Sequence, residues 1–382
     1  MELYLHLPFC RSKCAYCDFA SWAGQEALMP AYAEALIQEA EHEAALLSER
    51  TVDTVFLGGG TPSVFPPELL CSMLRRVLSL FPLAKDAEFT SEANPGTLTE
   101  AWLEAAVSCG VNRISLGMQA FQPELLRMLG RIHTFEQVEQ SVRLVRSAGI
   151  ANLNLDLMFG LPGQTRAQWL ETLEAALSLH PQHLSCYGLI PEEGTRLAAQ
   201  LEHGELTLPD EDEERAMYDD CLRLLKAHGF AQYEISNFAL PGKACRHNLG
   251  YWRQVPYLGL GASAASMLSG QGDVFCLRST NPRTISEYLE MVRSEAWSRR
   301  ETEPVSRTEA RFETLMLGLR TTTGVAEADF AALHGVSLEA CYGEKLRSLE
   351  KRRLLEHADG RWFLTRRGMD IQNSILVELM DN

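Results

Sequence analysis

Apolar runs and amphipathic segments alternate along the first 230 residues of the chain. Six short apolar runs predict β-strands, and each is followed by a segment with helical spacing of apolar positions. In the first such helix, predicted over 30–49, Ala33, Leu36 and Ala40 lie along one stripe. The six predicted strands are 2–9, 51–59, 88–95, 113–121, 152–160 and 183–190.

Six consecutive β/α units predict a parallel sheet, because parallel neighbours need a crossover helix between them. A sheet of this kind that curves is an incomplete (β/α)6 version of the eight-unit TIM barrel. In such folds the loops after the strands converge on one side and carry the chemistry. The chain has polar and glycine residues at these strand ends: the cysteine loop at 10–17, GGGTP (58–62), Glu92 with Asn94, Gln119, Asp156, and Glu192 with Glu193. We therefore expect one functional cavity there.

The pattern changes after residue 230. Residues 231–293 mix short strands with glycine turns and are predicted to extend a barrel domain that spans 1–230. A linker is predicted over 294–305. The last segment, 306–382, has three helical patterns followed by RWFLTRRG, which resembles the wing of a winged-helix domain. Because its basic residues are balanced by acidic ones, we expect it to pack or to bind a protein partner rather than DNA.

Charge and hydropathy exclude several classes of partner. The 382 residues include 35 basic and 51 acidic side chains, which gives a formal charge of −16. This charge disfavours nucleic acid and anionic lipid as partners. The chain has neither a basic segment followed by an apolar run at its start nor an apolar stretch of about 18 residues, so neither a secretory signal nor an integral membrane protein is expected.

Three of the ten cysteines, Cys10, Cys14 and Cys17, are spaced CxxxCxxC, and the other seven are scattered singly. Scattered single cysteines are typical of reduced thiols, which predicts a cytoplasmic protein. Three thiolates in one short loop can bind three corners of an iron–sulfur cubane and leave one iron open to another ligand. A zinc site with His6 as its fourth ligand is the alternative.

The cysteine motif, with Tyr16 before its last cysteine, is similar to the signature of the radical S-adenosylmethionine superfamily. Further motifs place the resemblance more narrowly: YLHLPFC (4–10), GGGTP (58–62), SEANP (91–95), SLGMQAF (115–121), LGRIH (129–133) and DLMFGLPGQT (156–165). Together they resemble the group of that superfamily that contains oxygen-independent coproporphyrinogen III dehydrogenases and related haem chaperones.

The resemblance implies two cofactors and their contacts. Cys10, Cys14 and Cys17 would hold a [4Fe–4S] cluster, and S-adenosylmethionine would bind its open iron. Glu92 would accept hydrogen bonds from the ribose hydroxyls, and the glycine motif would meet the methionine amino group. The positions that match cofactor contacts of the family are Tyr4, Gly59, Gly60, Thr61, Glu92, Gln119, Arg131 and Asp156.

Two departures separate the chain from the dehydrogenases. Those enzymes have a fourth cysteine where this chain has Phe19, and an N-terminal extension ahead of the cluster. The chain also has HNLGYW (247–252), which matches a motif that the resemblance associates with haem binding. His247 is the candidate haem ligand, Cys245 is an alternative thiolate ligand, and a purely structural histidine is the other interpretation of this position.

The resemblance therefore implies a haem chaperone rather than an enzyme. We expect it to pass haem to an acceptor haem protein, such as one of the respiratory chain, and to be a monomer or a weak dimer. The alternative is a radical enzyme of haem biosynthesis that cleaves S-adenosylmethionine reductively and oxidises a porphyrinogen.

Overall fold

A computed structural model describes residues 1–380, so the last two residues of the expected C-terminal segment, 381 and 382, lie outside the described residues. In chain order its strands are β1 (Glu2–Leu7), β2 (Phe9–Cys10), β3 (Trp22–Ala23), β4 (Val52–Gly59), β5 (Leu83–Ala93), β6 (Arg113–Gln119), β7 (Asn152–Phe159), β8 (His183–Gly188), β9 (Ala231–Gln232), β10 (Asn237–Ala239), β11 (Tyr257–Leu260), β12 (Ala265–Ser269), β13 (Val274–Thr280), β14 (Glu301–Ser306), β15 (Val325–Ala326), β16 (Leu355–Ala358) and β17 (Arg361–Leu364).

The α-helices surround and connect these strands. In chain order they are α1 (Met29–Leu46), α2 (Pro67–Leu80), α3 (Glu100–Ser108), α4 (Pro123–Met128), α5 (Phe135–Ser147), α6 (Arg166–Ser178), α7 (Arg196–Glu202), α8 (Glu211–Ala227), α9 (Arg246–Trp252), α10 (Ile285–Arg293), α11 (Arg307–Gly318), α12 (Glu327–His334), α13 (Leu338–Lys351), α14 (Arg366–Asp370) and α15 (Gln372–Met380).

Six parallel strands form the centre of the main sheet, in the order β1, β4, β5, β6, β7 and β8. The predicted α/β fold with six consecutive β/α units is confirmed. Every residue of β6 is buried, because helices cover one face of the strand and the barrel interior covers the other. The crossover helices α3, α5 and α6 start at threonine caps. In α6, for example, Thr165 Oγ1 accepts from Gln168 N at 3.2 Å and Gln168 Oε1 accepts from Thr165 N at 2.9 Å.

The segment after residue 230 adds strands to both edges of the parallel sheet. β11 pairs in parallel with β1, and β12, β13 and β14 continue the sheet antiparallel to one another. The expected linker over 294–305 is wrong in its second half, because residues 301–306 form the edge strand β14. Its side chains are mostly exposed and include Pro304 and two glutamates, so the apolar alternation that marks a half-buried strand is missing.

The C-terminal segment has a core of its own. Helices α11, α12 and α13 are followed by the hairpin β16–β17, and β15 pairs with β17 to complete a three-stranded sheet. Leu315, Phe330, Leu346 and Trp362 belong to this core. The order of three helices and a hairpin is the one predicted from the sequence. Within residues 1–380 no helix is both long enough and apolar enough to cross a membrane.

A buried carboxylate joins the barrel to its extension. Glu39 on α1 is fully buried and accepts hydrogen bonds from Gly261 N at 2.8 Å, Asn281 Nδ2 at 2.6 Å and Tyr288 Oη at 2.8 Å. Arg300 Nη2, just before β14, donates to the same carboxylate at 2.7 Å. Burial raises the pKa of Glu39, and the Arg300 charge opposes that rise. Arg300 therefore compensates the negative charge that fixes the extension against α1.

Replacing Arg300 by Ala is expected to destabilise the protein by about 3–5 kcal/mol, because a buried carboxylate loses its charge partner. The matched control is Arg76→Ala. It removes an exposed ion pair between Arg76 of α2 and Glu41 of α1, and should cost at most about 1 kcal/mol. Urea unfolding of the two variants provides the comparison. Equal shifts of the unfolding midpoint would show that the buried pair does not hold the extension in place.

Candidate functional site at the strand ends

The three clustered cysteines lie in the loop after β1, and each is a free, partly exposed thiol. Burial raises the pKa of the Cys10 thiol and so favours its neutral form. A cation beside the sulfur would favour the thiolate instead. Each sulfur has one hydrogen-bond donor, which is a feature that stabilises thiolates and tunes iron–sulfur clusters. The pairs are Thr61 Oγ1 to Cys10 at 3.5 Å, Arg131 Nη1 to Cys14 at 3.5 Å and Lys13 Nζ to Cys17 at 3.7 Å.

The alternative of a zinc ion held with His6 does not fit the geometry. Both ring nitrogens of His6 are engaged: Nδ1 with Tyr4 Oη at 2.9 Å and Nε2 with the Ala20 carbonyl oxygen at 2.8 Å. Across residues 1–380, moreover, no group of three or more His, Cys, Asp or Glu side chains is arranged to hold a metal ion. The thiols instead suit a multi-iron cluster, whose ligands bind different iron atoms.

Gly59 and Gly60 pack against the strand that leads into the cysteine loop. A Cβ at Gly59, where φ is +99°, would lie 2.4 Å from the His6 ring, and a Cβ at Gly60 would lie 2.6 Å from the Leu7 carbonyl oxygen. The backbone N–H groups of Gly59, Gly60 and Thr61 already donate to protein acceptors. A ligand amino group, which is itself a donor, would therefore be recognised by acceptors in this segment, such as its carbonyl oxygens.

Arg131 links the cysteine loop to the ends of two strands. Besides Cys14, it donates through Nη2 to Asn94 Oδ1 at 2.6 Å and to the Gly117 carbonyl oxygen at 2.8 Å. Gln119 ends β6 in a left-handed conformation with φ of +64°. Its side chain packs against Gly117, where a Cβ would lie 3.0 Å from Gln119 Nε2. The strand ends thus place these predicted residues around one hydrogen-bonded centre.

Two carboxyl groups, those of Glu92 and Asp156, lie inside the barrel near this centre and line its cavity. Burial, reinforced by the charge of Asp156, raises the pKa of Glu92 to about 8, although Gly59 N donates to its Oε2 at 3.1 Å. Burial also raises the pKa of Asp156, against hydrogen bonds from Ser115 Oγ at 2.9 Å and Asn154 Nδ2 at 2.8 Å. Near neutral pH the Glu92 carboxyl is therefore largely protonated in the absence of a ligand.

His247 lies inside the barrel rather than on an open surface. Its Nδ1 is hydrogen-bonded to Thr54 Oγ1 at 2.7 Å and its Nε2 to Tyr251 Oη at 3.0 Å. Burial, with the charge of Arg113, lowers the pKa of His247 to about 3. Cys245 is also buried, with a pKa raised to about 12, and its Sγ lies 3.4 Å from Glu88 Oε1. Neither group presents a free ligand atom.

Two cavities adjoin these residues. One, of about 190 Å³, lies inside the barrel and is lined by Glu92, Asp156, His247 and Tyr251 among others. The other is an open cleft of about 660 Å³ beside the cysteine loop, which we call the Phe19 cleft. Its wall includes Tyr4, Phe19, Glu92, Tyr251, Trp252, Tyr257, Met267, Arg278, Arg283 and Leu317. Tyr4, Glu92 and Tyr251 line both spaces and separate them.

Sequence patterns do not predict the part of this cleft that the extension contributes. Tyr257, Met267 and Arg283 carry no motif, and they reach the cleft only because β11 pairs with β1. The one available signal was the mixture of short strands and glycine turns after residue 230, which indicates an extension but does not place it.

Comparisons with known proteins agree with this arrangement. The family model of the radical SAM superfamily matches residues 4–176, and that of the HemN C-terminal domain matches residues 305–371. The protein named "Heme chaperone HemW" from Bacillus subtilis (strain 168) is 36% identical over 375 residues, covering 97% of each chain. Its Escherichia coli (strain K12) counterpart is 36% identical over 98% of this chain and 97% of its own.

The chain belongs to the HemW family. Membership in the radical SAM superfamily carries a [4Fe–4S] cluster and S-adenosylmethionine as cofactors. The HemW family also shares its fold with coproporphyrinogen III oxidase (HemN) from Escherichia coli, described as a radical SAM enzyme. That structure superposes with a TM-score of 0.84 at 23% identity, covering 100% of this chain and 90% of the other. This likeness identifies the fold alone.

Replacing Cys10, Cys14 or Cys17 by Ala is expected to abolish the broad visible absorption of the reconstituted cluster, because each thiolate anchors one corner of the cubane. Cys341→Ala is the control, since Cys341 is also partly exposed but lies in the C-terminal segment. Absorption and iron content after anaerobic reconstitution measure the effect. Retention of a full cluster in any of the three variants would remove that cysteine from the ligand set.

Proposed function

We propose that the protein is a haem chaperone that binds haem in the Phe19 cleft and passes it to an acceptor haem protein. Relatives that match over the whole chain are named as heme chaperones. The observation that carries the proposal is that Phe19 and the last two residues of HNLGYW, Tyr251 and Trp252, line one cleft. Phe19 and HNLGYW, two of the features that distinguish the sequence from the dehydrogenases, thus share one surface.

The size and lining of the cleft suit a porphyrin. Its volume of about 660 Å³ falls in the range of about 300–1,000 Å³ that is usual for cofactor-sized ligands. Phe19, Tyr251 and Trp252 supply aromatic surface that can cover a macrocycle face. Phe19 is 67% exposed, so a bound ligand would bury an apolar side chain that now contacts solvent.

Haem also carries two carboxylates, which require cationic partners. Arg283 lies on the cleft wall with an exposed side chain and donates to the Asp18 carbonyl oxygen at 2.8 Å. Arg283 Nη2 also lies 3.5 Å from Asp18 Oδ1 in an exposed ion pair, whereas the less exposed Arg278 is paired more closely, with Glu313 Oε2 at 2.5 Å. We therefore assign the principal propionate contact to Arg283, whose guanidinium can form a bidentate pair with a carboxylate.

His247 is proposed to act through Tyr251 rather than as the iron ligand. Both of its ring nitrogens are hydrogen-bonded inside the barrel, and its Nε2 is bonded to the Tyr251 hydroxyl. Tyr251 in turn contacts Tyr257 edge-to-face, with ring centroids 4.8 Å apart. This contact extends from the buried histidine to the cleft wall, so the histidine would orient the aromatic surface on which haem is held.

S-adenosylmethionine is assigned to the strand ends beside the cysteine loop. Glu92 would accept hydrogen bonds from the ribose hydroxyls, and carbonyl oxygens of the GGGTP segment would accept from the amino group. The cluster would supply the iron that the amino and carboxylate groups of the methionine moiety chelate. Tyr4, Gln119, Arg131 and Asp156 complete the proposed site.

Release of the cargo requires an acceptor that can reach the open cleft. The formal charge of −16 favours an acceptor haem protein with a basic docking face, such as one of the respiratory chain, and salt would screen that attraction. We place the protein in the cytoplasm, as a monomer or weak dimer. The free state of all ten cysteines suits a reducing compartment.

The second candidate is a coproporphyrinogen-oxidising enzyme. The observation in its favour is that the cofactor residues around Glu92 and Arg131 form a connected site, which a passive carrier would not require. Phe19 argues against this second function, because Phe19 occupies the position at which the dehydrogenases have their additional cysteine.

Phe19→Ala is expected to weaken haem binding by about tenfold, since burial of a large apolar side chain contributes about 1.5–3 kcal/mol. Leu46→Ala is the matched control, because Leu46 is 68% exposed at the end of α1 and is not part of the cleft wall. Spectroscopic titration of haem into both reconstituted variants provides the affinities. Equal affinities would place haem outside the Phe19 cleft.

His247→Ala and Tyr251→Phe should weaken haem binding to a similar extent and leave the absorption maxima of bound haem unchanged, because both act on the cleft wall. Absorption spectra of the haem-loaded variants are the measurement. If His247→Ala alone shifted the maxima to those of haem lacking an axial imidazole, His247 would be the iron ligand and the positioning role would be wrong.

The affinity for S-adenosylmethionine is expected to rise with pH through about 8, because the ionised Glu92 carboxylate is the better acceptor for ribose hydroxyls. Below this pH, cofactor binding must compete with the proton that Glu92 holds. The Glu92→Gln variant cannot titrate at this position and should show a flatter profile. Titrations of reconstituted protein across this range give both profiles. Identical slopes would exclude Glu92 from the site.

A further inference from the structure

Two cysteines outside the cofactor site lie side by side in the outer helical layer. Cys71 is on α2 and Cys109 directly follows α3, and their Sγ atoms are 3.2 Å apart. Cys71 is partly exposed and lines an open surface groove with Arg75 and Arg76, whereas Cys109 is buried. The pair is separate from the cluster loop in sequence and does not line the cavities of the site.

The environments of the two thiols differ in the way that a redox pair requires. The hydrogen bond from Cys109 lowers the pKa of Cys71 against the opposing effect of burial, and the Ser108 hydrogen bond and the charge of Arg75 lower it further. Burial raises the pKa of Cys109 to about 11, so that thiol keeps its proton. An exposed, more acidic thiol beside a buried, protonated one is the arrangement of an attacking and a resolving cysteine.

We propose that Cys71 and Cys109 form a reversible dithiol–disulfide pair that reacts with peroxides. The Cys71 thiolate attacks one peroxide oxygen, which gives a sulfenic acid at Cys71 and releases water or an alcohol. The Cys109 sulfur then attacks the Cys71 sulfur, the disulfide forms, and the sulfenic hydroxyl leaves as water. Two thiols lose two electrons and the peroxide gains them. A small dithiol returns the pair to its reduced form by exchange.

The geometry makes disulfide formation feasible. The sulfur atoms need to approach by only about 1 Å to reach the bond length of about 2.05 Å. Disulfides in reducing compartments are usually transient and redox-sensing, which suits a pair on an accessible groove. The new bond would tie together the two helices that flank β5, the strand that carries Glu92. The modification would therefore report oxidant exposure at the layer that supports the cofactor site.

The test uses the full-length, cluster-containing protein treated with hydrogen peroxide, followed by alkylation and peptide mass spectrometry without reduction. We expect a peptide pair linked through Cys71 and Cys109 that disappears on treatment with dithiothreitol. The Cys109→Ser variant should instead trap Cys71 as a sulfenic acid that reacts with dimedone. Cys341, a partly exposed single cysteine, is the internal reference and should react more slowly.

Two outcomes would overturn the proposal. One is that Cys71 and Cys109 stay free thiols at peroxide doses that oxidise Cys341. The other is that Cys71 pairs with a cysteine of the cluster loop instead of Cys109. Because the mass spectra report each cysteine separately, neither outcome depends on haem binding or on the role of the cluster.

Discussion

The buried carboxylate of Glu88 is the anchor on which the arrangement of the candidate site depends. This residue of β5 accepts hydrogen bonds from the backbone N–H groups of Arg246 and His247, each at 3.2 Å, at the start of the short helix α9. A carboxylate at a helix start satisfies donors that would otherwise be buried without partners. With the His247 hydrogen bond to Thr54, it fixes α9 against two strands of the barrel. The opposite end of α9 then presents Tyr251 and Trp252 to the Phe19 cleft.

With α9 held in this position, the two proposed ligand sites share part of their walls. Tyr4, Glu92 and Tyr251 line both the barrel interior and the cleft, so a ligand on either side meets the same side chains. Deprotonation of Glu92 on cofactor binding would place a negative charge on the wall that the cleft shares. The structure thus provides a direct route by which S-adenosylmethionine could alter haem binding without any large movement. This route is electrostatic, and its strength depends on the exclusion of water around Glu92.

Local sequence patterns were sufficient for the parallel sheet and the cysteine loop. Apolar runs, helical spacing and turn residues predict the six parallel strands β1, β4, β5, β6, β7 and β8 in order, because each pattern reflects the burial of its own element. Non-local pairing was not accessible in the same way. The exposed polar side chains of the edge strand β14 favour a linker over a strand. The contribution of Arg283 to the cleft depends on the pairing of β11 with β1.

The environment of a single residue was equally hard to predict. The motif HNLGYW marked His247 as chemically important, but the sequence cannot show that Thr54 and Tyr251 occupy its two ring nitrogens. The sequence also does not show that Phe19 and Trp252, which belong to separate motifs, line one cleft. Motifs identified the residues, and the fold determined which of them lie together.

The proposed chaperone function requires that the protein bind haem and leave porphyrinogens unoxidised. The most direct measurement uses two parallel reactions of the reconstituted, reduced protein with S-adenosylmethionine. Coproporphyrinogen III is added to one reaction and haem to the other. We expect stable haem binding that quenches tryptophan fluorescence, and no formation of protoporphyrinogen. Turnover of coproporphyrinogen III without retention of haem would contradict the chaperone function.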